Sequence, residues 1–164
     1  MQENKQNGFT QVELIVTIVL IGIVSAVAVP RFRSETGTEA RGFSDEAAAA
    51  LRFAQKTAIA SRRLVCATLT ASTLQLKIAS AANATSCNTD LTGPTGKTPH
   101  KIDASDTTFR SLTGFSNGFP TTLNFDSLGR PVNAAGSLIS TTTTIGITGG
   151  RSILIEAETG HVHF

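Results

Sequence analysis

Tryptophan and tyrosine are absent from this chain of 164 residues, and phenylalanine carries all of its aromatic content. Few platforms are left for stacking bases or sugars. Charge is sparse as well: Asp, Glu, Lys and Arg make up 16% of the residues, with a net charge of +2 and a pI near 8.8. That balance argues by itself for neither nucleic acid nor acidic substrates. Catalytic signatures are missing too. The sequence holds no GxSxG, P-loop, HExxH or CxxC, and its scattered Asp and Glu suggest no acid/base pair. The expectation is a chain that is not an enzyme and needs no cofactor or metal.

Cysteine is nearly absent, with Cys66 and Cys87 alone. In a protein that leaves the cytoplasm, such a pair reads as a disulfide closing a loop of about 20 residues, worth roughly 3 kcal/mol. Two buried free thiols are the alternative. Their spacing is far from CxxC and points to neither redox nor zinc chemistry. His161 and His163, two apart on a strand, would face the same side. A shared metal would need a third ligand, so a polar C-terminal edge is expected. His100 falls among prolines and lysines and reads as solvated. Asn83-Ala84-Thr85 has the form of a glycosylation sequon and is read as a loop.

Against this sparse background, the stretch from Phe9 to Val29 is apolar with a single charge, Glu13. About 21 residues at 1.5 Å each just span a hydrocarbon core. An ordinary signal peptide is the alternative, since Lys5 precedes the run and Ala26-Val27-Ala28 resembles a small-residue cleavage site. Glu13 weighs against it, because a carboxylate there costs about 2.5 to 3.5 kcal/mol on insertion scales and a disposable peptide would not repay it. If the chain is cut between Gly8 and Phe9, the new amine of Phe9 lies one turn from Glu13. It could also meet Glu13 of a neighbouring subunit, so packing among subunits would neutralise the carboxylate and set their register.

Gly8-Phe9-Thr10-Gln11-Val12-Glu13-Leu14, followed by this apolar run, resembles the leader junction of type IV pilins and type II secretion pseudopilins, whose consensus is GFTLIEL. Gln11 replaces the usual Leu and Val12 the usual Ile. The resemblance implies a leader over 1–8, cleavage after Gly8 by a prepilin peptidase, N-methylation of Phe9 and the register role of Glu13. Gly22 and Pro30 fall where these families place a helix-loosening glycine and proline.

Beyond the apolar run of 9–30, Pro30 is expected to kink or interrupt the helix, which resumes within 31–63. From Glu39 to Ser61, Phe43, Ala47, Ala50, Leu51, Ala54 and Ala58 recur at three- and four-residue spacing, a narrow stripe suited to packing on a sheet. Over 64–164 the pattern turns to short β-prone runs: Leu64 to Thr70, Thr73 to Ala79, Thr107 to Leu112, Thr121 to Phe125, Leu138 to Ile147, Ser152 to Ala157 and His161 to Phe164. Leu74, Leu76 and Ile78 alternate with Gln75 and Lys77, as in a half-buried antiparallel strand. One long N-terminal helix followed by many strands predicts an α+β fold, with the helix packed on an antiparallel sheet.

Leu123-Asn124-Phe125-Asp126-Ser127-Leu128-Gly129-Arg130-Pro131 reads as strand then turn. It resembles the LxFDxxGRP segment of the pseudopilin H group, the GspH/FimT-type minor pilins, and the related minor pilin of the mannose-sensitive haemagglutinin pilus. Leu51 to Ala60 is similar to that group's second helical half. The resemblance does not extend over about Ala81 to Gly118. Some FimT-type minor pilins bind DNA through a GRxR motif; here Gly150-Arg151-Ser152-Ile153 stops at one arginine. Arg130 and Arg151 are the candidate DNA contacts, with Arg62, Arg63 and Arg110 as cations that could converge on the same face.

The resemblance implies a minor pilin or pseudopilin. Such a subunit sits in the bacterial inner membrane by a single pass, then enters a type IV pilus or a type II secretion pseudopilus at or near the tip, where it starts assembly or contacts a target. Other pilins, the prepilin peptidase and an inner-membrane assembly platform are its implied partners. DNA uptake is the alternative function.

Overall fold

The computed structural model describes residues 9–32, 36–104 and 120–164, with side chains described for 9–26, 38–104 and 120–164. The leader with Gly8, the strand expected at 107–112 and Arg110 lie outside the described residues. Two compact units divide the chain, Met1–Glu35 and Thr36–Phe164.

The first unit holds helix α1, Gln11–Phe32. Thr10 caps it. Its Oγ1 accepts the Glu13 N–H at 3.3 Å and its carbonyl accepts the Leu14 N–H at 3.1 Å. Thr10-Gln11-Val12-Glu13 has the spacing of a capping box, and Glu13 lies in the first turn, at the positive end of the helix dipole. The helix runs on through Pro30 to Phe32, so the interruption expected at Pro30 does not fall there. So near the helix end, a proline forfeits one backbone bond without breaking the turns before it. Among the described residues no helix is long and apolar enough to cross a membrane. The described side chains of α1 stop at Ala26, and from Gln11 they measure about 24 Å, against a hydrocarbon core of about 30 Å. The transmembrane span read over 9–30 is therefore not shown.

The second unit is built on helix α2, Thr36–Ser61. The stripe read from the sequence is its buried face: Phe43, Ala47, Ala50, Leu51, Ala54 and Ala58 are all at most 3% exposed, joined by Ala40, Ser44 and Ala48. Small side chains let the helix sit close to the strands beneath it. Arg62, with φ of 53°, ends the helix in the left-handed region, and the Arg63 N–H donates to the Ala58 carbonyl at 3.2 Å.

Six strands form the main antiparallel sheet: β1 (Val65–Leu69), β2 (Thr73–Ile78), β3 (Thr89–Asp90), β4 (Lys101–Asp103), β5 (Thr122–Phe125) and β6 (Pro131–Val132). Their order is β3-β2-β1-β5-β6, with β4 also pairing β2. Val65, Ala67 and Leu69 of β1 and Leu74 and Leu76 of β2 face the core in alternation. A second sheet follows: β7 (Thr143–Ile145), β8 (Ile153–Ile155) and β9 (Val162–His163). Its Ile145, Ile153, Ile155 and Val162 join the same core. The fold is α+β, a helix packed on antiparallel sheet.

Several strand expectations shift. The run Leu138 to Ile147 narrows to Thr143–Ile145, while Leu138 makes an isolated bridge to Val132. Polar Ser140 to Thr142 supply no apolar alternation to hold a longer strand on the core. β3, β4 and β6, of two or three residues, are too short to show a period. The bridge between Cys66 and Cys87 forms, with the Cα atoms 6.0 Å apart, and ties β1 to the segment that enters β3.

Candidate assembly surfaces

Two regions of surface carry the residues singled out by the sequence. The first is α1. Its Val12, Leu14, Ile15, Val16, Ile18, Val19, Leu20, Ile21, Ile23 and Val24 are 50 to 70% exposed, and Phe9 is 77% exposed. A helix apolar all round is stable only when something else covers it. Glu13 is the only charged residue with a described side chain on it. Phe9 sits immediately before the Thr10 cap and Glu13 in the first turn, so the register pair read from the sequence stands at the start of this uncovered helix.

The second region is the turn after β5. The Asp126 carboxylate accepts the Leu128 and Arg130 backbone N–H groups, each at 2.9 Å through Oδ1, and receives the Arg130 Nε at 2.9 Å on Oδ2. Arg130 Nη2 completes the pair at 2.8 Å. This is what the LxFDxxGRP spacing makes: the carboxylate organises the turn, and the arginine four residues on neutralises it. Gly129 takes φ of 81°. Gln55 of α2 then fastens two turns together, its Nε2 donating to the Gly129 carbonyl at 3.3 Å and to the Thr159 carbonyl at 2.8 Å.

Arg151 lies elsewhere. Its backbone N–H donates to Ser44 Oγ at 3.1 Å, its guanidinium pairs with Asp45, and it stands 3.8 Å over the Phe164 ring. Asp45 and Gln55 are ten residues apart on α2, about 15 Å along its axis. Arg130 and Arg151 therefore hold separate carboxylates, Asp126 and Asp45, at different levels along α2. The Asp126 partner of Arg130 lies within the LxFDxxGRP motif, whereas Asp45, the partner of Arg151, is remote in sequence and no spacing reveals it.

The histidines also separate. His100 is half-buried rather than fully solvated. Its ring meets Phe53 edge-on at 5.5 Å and fills the space over Gly93, where a Cβ would come within 2.6 Å of it. Burial lowers its pKa, with Glu46 partly opposing. His163 Nε2 bonds Glu156 Oε1 at 2.9 Å, and its ring stacks on His161 at 5.5 Å. The Glu156 hydrogen bond raises the His163 pKa, and the same bond lowers that of Glu156. Among the described residues no three His, Cys, Asp or Glu groups cluster as a metal would require.

Three findings on known proteins bear on these surfaces. Residues 4–29 match the Prokaryotic N-terminal methylation motif. The type IV narrow pilus major component PilA5 of Thermus thermophilus is 46% identical over 50 residues, 30% of this chain and 43% of that protein; the match spans about two-fifths of the relative's length. The crystal structure of the type IV minor pilin FimU from Pseudomonas aeruginosa superposes with a TM-score of 0.51 at 17% identity, covering 80% of this chain and 89% of that one. The chain thus carries the prokaryotic N-terminal methylation motif and a fold similar to that of a type IV minor pilin.

Proposed function

We propose that this chain is a minor pilin that assembles into a type IV pilus through α1. The observation that carries this is the uncovered apolar surface of α1 within a methylation motif. That surface needs partners of its own kind, namely the equivalent helices of other pilins. Before assembly the apolar segment 9–30 holds the subunit at the bacterial inner membrane, where a prepilin peptidase cuts between Gly8 and Phe9, Phe9 is methylated, and an assembly platform takes the subunit up. Burial inside the filament then brings the Phe9 amine to Glu13 of the same or a neighbouring subunit, which sets register. The Cys66–Cys87 bridge staples the exposed domain. The resemblance of the Asp126–Arg130 turn to the GspH/FimT group is what suggests a place at or near the tip. A type II secretion pseudopilus differs in the machine and not in this chemistry.

DNA uptake draws no support from Arg130 and Arg151, which are each committed to a carboxylate.

The test is the intact mass and N-terminal sequence of the chain taken from membranes of its native host. A start at methylated Phe9 is the expected result. A start near Val29 means ordinary secretion and ends the proposal. Deletion then separates the machines: loss of surface fibres indicates a pilus, and substrates trapped in the periplasm indicate secretion.

A further inference from the structure

Strand β5 buries Leu123 and Phe125 in the core, and Asn124 between them faces the opposite side of the sheet. Asn124 is nonetheless only 6% exposed. A polar side chain so deeply placed needs hydrogen-bond partners, and here only half of it has one. The Asn124 Nδ2 donates to the Asn133 carbonyl at 3.3 Å, which fixes the amide, whereas among the described residues no donor reaches its Oδ1. That oxygen is not sealed in, because among the described residues no buried side-chain nitrogen or oxygen lacks a partner. It opens into a cavity of about 210 Å³.

The cavity lies between two fastened segments. Ala84 and Thr85 line it from the stretch that Cys87 ties to β1. Gly136 lines it from a turn in which Asn133 Oδ1 accepts the Ala135 and Ser137 N–H groups at 2.9 and 3.0 Å. The site is therefore pre-formed. Leu64, Val132 and Leu138 supply its apolar surface, and Asp126 and Arg130 complete the lining.

This lining discriminates among ligands by chemistry. Both Asp126 oxygens are taken, Oδ1 by two backbone N–H groups and Oδ2 by Arg130, so no carboxylate waits for a cation. The same pair cancels the Arg130 charge, and the bare Asn124 oxygen repels an anion. A wholly apolar ligand would displace water and leave that oxygen unmet. What fits is a neutral molecule with a donor for Asn124 Oδ1, an acceptor for Arg130 Nη1, and an aliphatic face for Leu64, Val132 and Leu138; Nη1 bonds nothing among the described residues. Neighbouring hydroxyls on a saturated ring have this pattern, since each both donates and accepts. The volume is below the range of about 300–1,000 Å³ that holds larger ligands, so a single ring is what it admits.

We propose that this cavity binds one neutral sugar ring, with a ring hydroxyl donating to Asn124 Oδ1 and its neighbour accepting from Arg130. No aromatic platform is used; the C–H face of the ring rests on the aliphatic side chains.

The test is saturation-transfer NMR on the full chain, in a detergent without a sugar headgroup. Glucose, galactose and N-acetylglucosamine are the probes. Glucuronate, glucosamine, cyclohexanol and N-acetylglycinamide are the anionic, cationic, apolar and peptide-like controls. At least one neutral sugar should bind with a millimolar Kd and more tightly than every control. Asn124→Leu should weaken it about ten-fold or more, because a ligand hydroxyl loses its acceptor. Thr85→Trp, at an exposed position, should fill the mouth and abolish binding. Unchanged far-ultraviolet circular dichroism and an intact disulfide show that each variant folds, and where Asn124→Leu does not, Thr85→Trp decides. Three results overturn the inference: no binding of any neutral sugar, a control that binds as well or better, or wild-type affinity in a folded variant. It falls alone, since processing at Phe9 and entry into filaments are read from other measurements.

Discussion

Gly129 and Gly160 take positive φ, 81° and 66°, so the same substitution strains both, yet alanine should be far worse at one. A Cβ on Gly129 would meet Ile59 Cδ1 at 2.6 Å. Ile59 is 48% exposed and can swing aside, which leaves the left-handed strain of about 1–2 kcal/mol. A Cβ on Gly160 would fall 2.0 Å from the Gly129 carbonyl oxygen and 3.0 Å from Gln55 Nε2. Neither can yield without parting the two turns, so both Gln55 hydrogen bonds go as well, at about 1 kcal/mol each. The expected cost of Gly160→Ala is therefore about 3–4 kcal/mol. At roughly 4 °C per kcal/mol for a unit of this size, Tm should fall ~4–8 °C for Gly129→Ala and ~12–16 °C for Gly160→Ala. Without Trp or Tyr there is little intrinsic fluorescence to follow. Calorimetry or sheet ellipticity of the full chain in detergent is the suitable readout. Equal shifts, or a greater loss at Gly129, would refute the account of two turns pinned together by Gln55.

Reducing the bridge, or replacing both cysteines by serine, should lower stability by about 3 kcal/mol, seen as a drop in Tm on adding reductant to the wild-type chain and no drop with the double variant. The two perturbed histidines should act in opposite senses. His100, whose pKa is lowered, contributes stability above the ordinary imidazole value that is lost as pH falls. His163, whose pKa is raised by Glu156, contributes stability below that value that is lost as pH rises through its own. Proton titration by NMR should place them on opposite sides of 6.5, and Glu156→Gln should bring His163 back toward it while leaving His100 alone. Duplex DNA mixed with the full chain at low salt should show no binding that depends on Arg151, since its guanidinium is held by Asp45; a steep salt slope abolished by Arg151→Ala would contradict this.

The parts of the fold with long periods were legible. The stripe from Phe43 to Ala58 and the alternation of Leu74 and Leu76 in β2 each state a burial pattern in one stretch of sequence, and both hold in the structure, as does the pairing of the two cysteines. What sequence could not show is set by contacts between distant stretches. His100 is half-buried because Phe53, far away in the chain, lies under it. Arg151 is engaged because α2 brings Asp45 to it. The turn at Asp126 was read as a turn, but its fastening to a second turn through Gln55 has no local signal. Thr10 is a different case: its cap on the Glu13 N–H follows from a spacing, Thr10-x-x-Glu13, that lies within one stretch of sequence.

Glu13 can serve two roles, and they make different demands. As a first-turn carboxylate it stabilises α1 through the dipole, by about 0.3–1 kcal/mol, a role that glutamine at the capping-box position largely keeps. As a register group it must be charged to meet the Phe9 amine, which glutamine cannot do. Glu13→Gln should therefore leave helicity in detergent and cleavage after Gly8 unchanged while reducing incorporation into filaments. Glu13→Val removes the carboxylate's insertion cost of about 2.5 to 3.5 kcal/mol, so it should raise membrane retention yet assemble no better than glutamine. Immunoblots of membrane and sheared-filament fractions measure both quantities. If Glu13→Gln assembles at the wild-type level, Glu13 is only a helix cap, and register must come from the shape of the apolar surface.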